Sequence, residues 1–253
     1  MKNRVLRLVP KLSPLFHINK VNKVDLRDFL IELFKQWGMP KKIRVDNSSP
    51  FGSPQLNTIP PMALWLISLG IEMVWNRPGT PQDNAKVERL QGTTSRWAEY
   101  KDCLNLTHLQ NKLDEACLIQ REKYRVTRLS LKTRLEAFAE LKKNSRRYDD
   151  KDPIKLEKLY EFLSTVTFVR KVNRQSGVFT FFNRITFLSR RPELRTLRRI
   201  FIRFNTEQCR WMIFNDTGDQ VAILEANYLN KKDVRNLTVC QRTYLKCQIL
   251  MSQ

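Results

Sequence analysis

Two carboxylates stand out by their type and setting. Asp46 closes the run KIRVD (42–46), and Glu88 lies forty-two positions later, just after the turn-rich run NRPGTPQDN (76–84). KIRVD is short and β-branched, so it reads as a strand. Functional sites of open α/β sheets lie at strand ends of this kind. Glu88 falls on the first turns of a helix that starts at Ala85. An aspartate at a strand end and a glutamate on a later helix are able to point into one site. Two-metal phosphoryl transfer uses several carboxylates around ions roughly 4 Å apart. Hard oxygen ligands suit Mg²⁺ or Mn²⁺. On spacing alone the plainer reading is the stronger one: Asp46 caps a turn through Asn47-Ser48, and Glu88 is one more solvated helix charge. Asn47 and Asn84 flank the acids and either support them by hydrogen bonds or satisfy turns. Lys86 and Arg89 either hold phosphates or belong to a solvated helix face.

The elements that must position these residues can be traced along the chain. Residues 22–37 carry Val24, Phe29, Leu30, Leu33, Phe34 and Trp37 at helical spacing. Asn22 suits an N-cap, Gly38 the C′ position, and Pro40 follows as a stop. A helix leading into the strand KIRVD indicates an α/β layer. Residues 47–61 read as a loop, 62–70 as a second helix ending at Gly70, and 71–75 as a strand. A long helix follows from Ala85, with Gly92 as its weak point, and charged helices continue over 107–148. Residues 151–159 read as a linker or a lead-in helix. After about residue 163 the texture changes to short β-branched and aromatic runs separated by turns, the spacing of a small antiparallel β-barrel. Phe181, Phe182, Phe187, Phe201, Phe204, Trp211 and Phe214 read mostly as the core of that barrel, and Trp37, Trp65 and Trp75 as core of the α/β part.

Composition narrows the partner. The 253 residues carry a formal charge of +21 with a sequence pI of about 10.1, and 42% are hydrophobic. A chain so apolar folds around a core, while so large a charge opposes compaction and suits a polyanion, DNA before an anionic membrane. The charge is spread: residues 1–150 have a net +11 and residues 151–253 a net +10. Arg190, Arg191, Arg195, Arg198 and Arg199 make the densest arginine run. It lies between two β runs and reads as a phosphate-binding loop, since the guanidinium forks phosphate in bidentate geometry. The five cysteines contain no C-x-x-C pair and the two histidines are isolated, which argues against zinc. The odd cysteine count points to reduced thiols, no stretch is apolar enough to suggest a membrane span, and the start MKNRVLRLVPKLSPLF, interrupted by charge and proline and without a small-residue cleavage site, does not read as a signal peptide. The expected location is the cytoplasm.

The residues around the two acids carry a resemblance. IRVDNSSPF (43–51) resembles the segment around the second aspartate of retroviral-type integrases and related bacterial transposases. WNRPGTPQDNAKVERLQGT (75–93) resembles the segment with their final glutamate, and NKVDLRDFLIELFKQWGMP the helix before the second aspartate. SGVFTFFNRITFL, CRWMIF and QVAIL look like the small C-terminal barrel of one insertion-sequence group. This resemblance to the acidic-triad transposases implies an α/β fold, a truncated ribonuclease H-like core over 1–100. A helical connector over 101–159 and a small SH3-like β-barrel over 160–253 follow. It implies Asp46 and Glu88 as catalytic, metal-binding acids, Mg²⁺ or Mn²⁺ as cofactor, and cleavage and joining of DNA ends during integration. DNA, as element ends and target, is the implied partner, and the intact family is expected to form homo-oligomers. The family's first aspartate lies tens of residues upstream of the second. Here Asp25, Asp28 and Glu32 all fall on the predicted helix that matches a later element, so none replaces it. With two of three acids, metal binding is expected to be poor, and strand transfer by this chain alone small or absent. Two other readings remain open: a non-catalytic DNA-binding partner that inhibits intact transposase, and a decayed reading frame.

Overall fold

The computed structural model describes residues 23–47, 49–52, 59–139, 146–182, 184–187, 197–240, 244–246 and 248–249. It is a mixed α/β structure in two units. One takes in residues 1–46 and 74–150, the other residues 47–73 and 151–253.

In the first unit, helix α1 spans Lys23–Trp37. Asp25 in its first turn and Lys35 in its last complement the helix dipole. Leu30 and Phe34, four apart, are each 1% exposed and form its buried stripe. Gly38 ends the helix at φ +81°, a left-handed position that glycine adopts without cost. Phe34 meets the ring of Tyr148 at 6.5 Å, and Lys35 pairs with Asp150 at 3.1 Å. Strand β1 is Lys42–Val45, with Ile43 and Val45 turned inward. It shares a two-stranded sheet with β2, Glu72–Trp75. Helices α3 (Ala85–Trp97) and α4 (Leu106–Leu118) follow. The described chain is less helical beyond α4 than its charge pattern predicts. One π-turn covers Ile119–Lys123, a single 3-10 turn Thr127–Leu129, and α5 only Arg134–Ala137. Val126 and Thr127 are β-branched, and Ser130 and Leu131 both take positive φ, which no helix can propagate.

The second unit begins with α2, Pro61–Ser68. Proline at the first helical position suits the start, and Gly70 at φ +70° lies just past the end. Every residue from Met62 to Ser68 is buried, so this helix is apolar all round. It packs against α6 (Leu156–Ser164) and α7 (Lys231–Arg235). The Lys155 N–H donates to the Ser68 carbonyl at 2.8 Å, and the Tyr160 hydroxyl to the Leu229 carbonyl at 2.8 Å. The sequence places α2 and Trp65 in the same layer as β1; here both belong to the second unit, with Trp65 fully buried. Trp37 and Trp75 are only half-buried.

The remaining strands are β3 (Phe168–Lys171), β4 (Val178–Phe181), β5 (Arg184–Phe187), β6 (Arg199–Asn205), β7 (Arg210–Phe214), β8 (Gln220–Glu225), β9 (Tyr244–Lys246) and β10 (Gln248–Ile249). The expected antiparallel barrel is corrected here. Among the described residues the strands form two separate sheets, in the orders β10-β8-β7-β6-β3 and β4-β5-β9, and no closed barrel. The reason lies in the pairing. β3 and β10 stand at opposite edges of the five-stranded sheet, and β9 joins β5 in parallel. The two sheets still share an aromatic core. Phe168 on β3 meets Phe181 on β4 at 5.3 Å and Trp211 on β7 at 5.7 Å, in edge-to-face geometry. Phe182 and Phe204 are buried beside them, whereas Phe201 and Phe214 pair across β6 and β7 on the opposite, half-exposed face. No helix among the described residues is long and apolar enough to cross a membrane.

Candidate acidic site

Asp46 follows β1 directly and is exposed; Glu88 is exposed in the first turn of α3, where the helix dipole favours a negative charge. Both acids belong to the first unit. A short ladder of hydrogen bonds ties their backbones together. The Asn76 N–H donates to the Val45 carbonyl, one residue before Asp46, at 2.9 Å. The Asn76 side-chain amide donates to the Asn84 side-chain oxygen at 2.6 Å. The Asn84 carbonyl accepts the N–H of Glu88 at 3.1 Å. Asn76 is 5% exposed, so its bonds are made away from water, where leaving them unmade is costly.

A second brace runs beside the first. Asp83 accepts from the Arg77 backbone N–H at 3.0 Å and from the Arg77 guanidinium at 3.0 and 3.2 Å. Arg44 on β1 approaches the same carboxylate at 3.7 Å. Hydrogen bonds from the Arg77 side chain, then from its backbone, hold the Asp83 carboxyl down at about 2. The loop between β2 and α3 is therefore fastened to β1 at two points, one neutral and one charged. For Asn84 the sequence leaves support of the acids and turn formation open, and it singles out neither Asn76 nor Asp83. NRPGTPQDN contains both, and an acid six positions after an arginine in a turn-rich run is the only local hint of the pairing.

The basic residues divide. Lys86 lies on the first turn of α3, and Arg89 is exposed one position after Glu88. Arg198 and Arg199 are exposed at the start of β6 in the second unit, with Arg199 3.7 Å from Asp216. Arg190, Arg191 and Arg195 lie outside the described residues. Asn47 is half-buried. As a metal site, the arrangement supplies two carboxylates, Asp46 and Glu88. Among the described residues no three histidine, cysteine or acidic side chains gather to hold an ion. Asp46 and Glu88 are both exposed, and they are the residues this site would offer a hard divalent ion. Cys103, Cys117, Cys209 and Cys240 are free thiols. The chain matches no family model.

Proposed function

We propose that this chain is a DNA-binding protein of the acidic-triad transposase and integrase kind. In this reading residues 1–100 hold part of a ribonuclease H-like core, and Asp46 and Glu88 stand for the second and third acids. The C-terminal sheets take the place of the family's small SH3-like barrel. Mg²⁺ or Mn²⁺ is the metal the reading implies. The observation that carries it is the ladder Val45–Asn76–Asn84–Glu88. It links the backbone just before Asp46 to Glu88, the two segments in which the motif resemblance also lies. The charge of +21 supplies attraction for phosphate. The same charge also suits a second reading: a protein that occupies DNA without cutting it and so competes with a catalytic relative.

Affinity for duplex DNA measured against salt, with and without Mg²⁺, tests both. A steep fall of log affinity with log salt is expected, about 0.9 per phosphate neutralised. Mg²⁺-dependent nicking that disappears in Asp46→Ala and Glu88→Gln supports the catalytic reading. The same steep binding without nicking supports the competitor. Absence of binding at low salt sinks both.

A further inference from the structure

The segment after α4 gathers charge of one sign. Residues 121–134 hold Arg121, Lys123, Arg125, Arg128, Lys132 and Arg134 against a single acid, Glu122, which Arg121 pairs at 2.8 Å. Lys123, Arg128 and Lys132 are exposed, and none makes an ion pair among the described residues. The acid facing them from α5, Glu136, is held mainly by Thr133, with the Arg125 and Lys132 charges acting on it from further off. It accepts the Thr133 N–H at 2.7 Å in a capping box.

This loop is built rather than slack. The Val126 N–H donates to the Lys132 carbonyl at 3.1 Å, and the Leu131 N–H to the Val126 carbonyl at 3.2 Å. The Arg125 guanidinium donates to the Leu131 carbonyl at 3.0 Å and so pins the tip. At the base, Arg134 donates to the Gln120 carbonyl at 2.6 Å, and the buried Gln120 amide donates to the Thr94 hydroxyl of α3 at 2.8 Å. The loop is thus anchored to the helix that carries Glu88. Its tip holds Ser130 and Leu131, both at φ +56°. Leucine disfavours that region, and here it is also 59% exposed. Trp97 and Tyr124 are exposed beside the base and meet edge-to-face at 5.4 Å.

An apolar side chain held out of the core on strained backbone gains nothing for folding. Bracketed by exposed cations, it has the chemistry of a wedge pressed into the minor groove between gripped phosphates. We propose that residues 121–134 form a duplex-DNA contact: Lys123, Arg128 and Lys132 hold phosphates, and Leu131 enters the groove and unstacks a base step. The proposal rests on the DNA-binding reading above.

The test uses the full chain and a short duplex carrying 2-aminopurine. Replacing Lys123, Arg128 and Lys132 together by Gln is expected to lower the slope of log affinity against log salt by about 2.7, three contacts at about 0.9 each. Leu131→Gly suits the left-handed backbone, so its thermal melting should match the parent's. It is expected to keep the slope and to lose the fluorescence rise that unstacking produces. A parental slope in the triple variant overturns the phosphate grip. A parental fluorescence rise in Leu131→Gly overturns the wedge. If the triple variant keeps its DNA slope but loses binding to phosphatidylserine vesicles, the loop is a membrane contact and the proposal falls alone. If the unaltered chain does not bind the duplex, the DNA reading falls and the proposal with it.

Discussion

Asp83 shows how one side chain shapes the acidic site without belonging to it. Its carboxylate is 11% exposed and receives three hydrogen bonds from Arg77. A carboxyl held at about 2 when folded, against an ordinary value of about 4, favours the folded chain only while ionised. That contribution is full above pH ~4 and is lost as pH falls to about 2. Asp83→Asn should therefore melt below the parent at pH 7, and the gap should close across that acid window. An equal gap at pH 7 and pH 2 would refute the account. Asn76 makes a complementary case with no charge. Asn76→Ala keeps the backbone N–H bonded to Val45 but removes the side-chain amide that donates to Asn84 ahead of α3, and a buried bond of this kind is worth roughly 1–3 kcal/mol. Urea unfolding should show that loss, independent of pH between 5 and 8.

At the scale of elements, the anchoring of the basic loop rests on two small devices. Thr133→Ala removes the capping box of α5 and should cost about 1 kcal/mol. Thr94→Val leaves the buried Gln120 amide without its acceptor and should cost about 1–3 kcal/mol. Equilibrium unfolding in urea reads both, and a loss in Thr94→Val well below that of Thr133→Ala would show that Gln120 repacks. These same elements divide what the sequence could show from what it could not. Helix α1 and strand β1 were legible because periodicity and a left-handed glycine are local signals. The positions of Asp46 and Glu88 on strand end and helix start were legible for the same reason. The partners of Asp83 and Asn76 were not, because a side-chain bond within a loop leaves no periodic trace. Pattern also failed to divide aromatic residues by face. Phe204 and Trp211 are buried while Phe201 and Phe214 line the other side, a distinction that strand register makes and composition does not. The two-sheet arrangement depends on β9 pairing in parallel with β5, some sixty residues away, which no local run announces.

For the molecule as a whole, the net charge and the divided chain path have separate consequences. A charge of +21 should make the chain's own stability rise with moderate salt, because screening relieves self-repulsion, while the same salt weakens DNA binding. Melting temperature and DNA affinity should move in opposite directions over one salt series; parallel movement would mean that specific pairs, not the overall field, dominate. The chain path adds another constraint. Helix α2 lies in the 47–73 segment of a unit whose remaining segment begins only at residue 151. On the ribosome it emerges about 88 residues before α6, which at roughly 5–20 residues per second means some 4–18 s of waiting. For that interval a helix with no polar face has nothing of its own to cover it. Its yield in cells should therefore follow the supply of chaperones that hold nascent chains, and slowing translation between residues 70 and 150 should send more of the product into inclusion bodies.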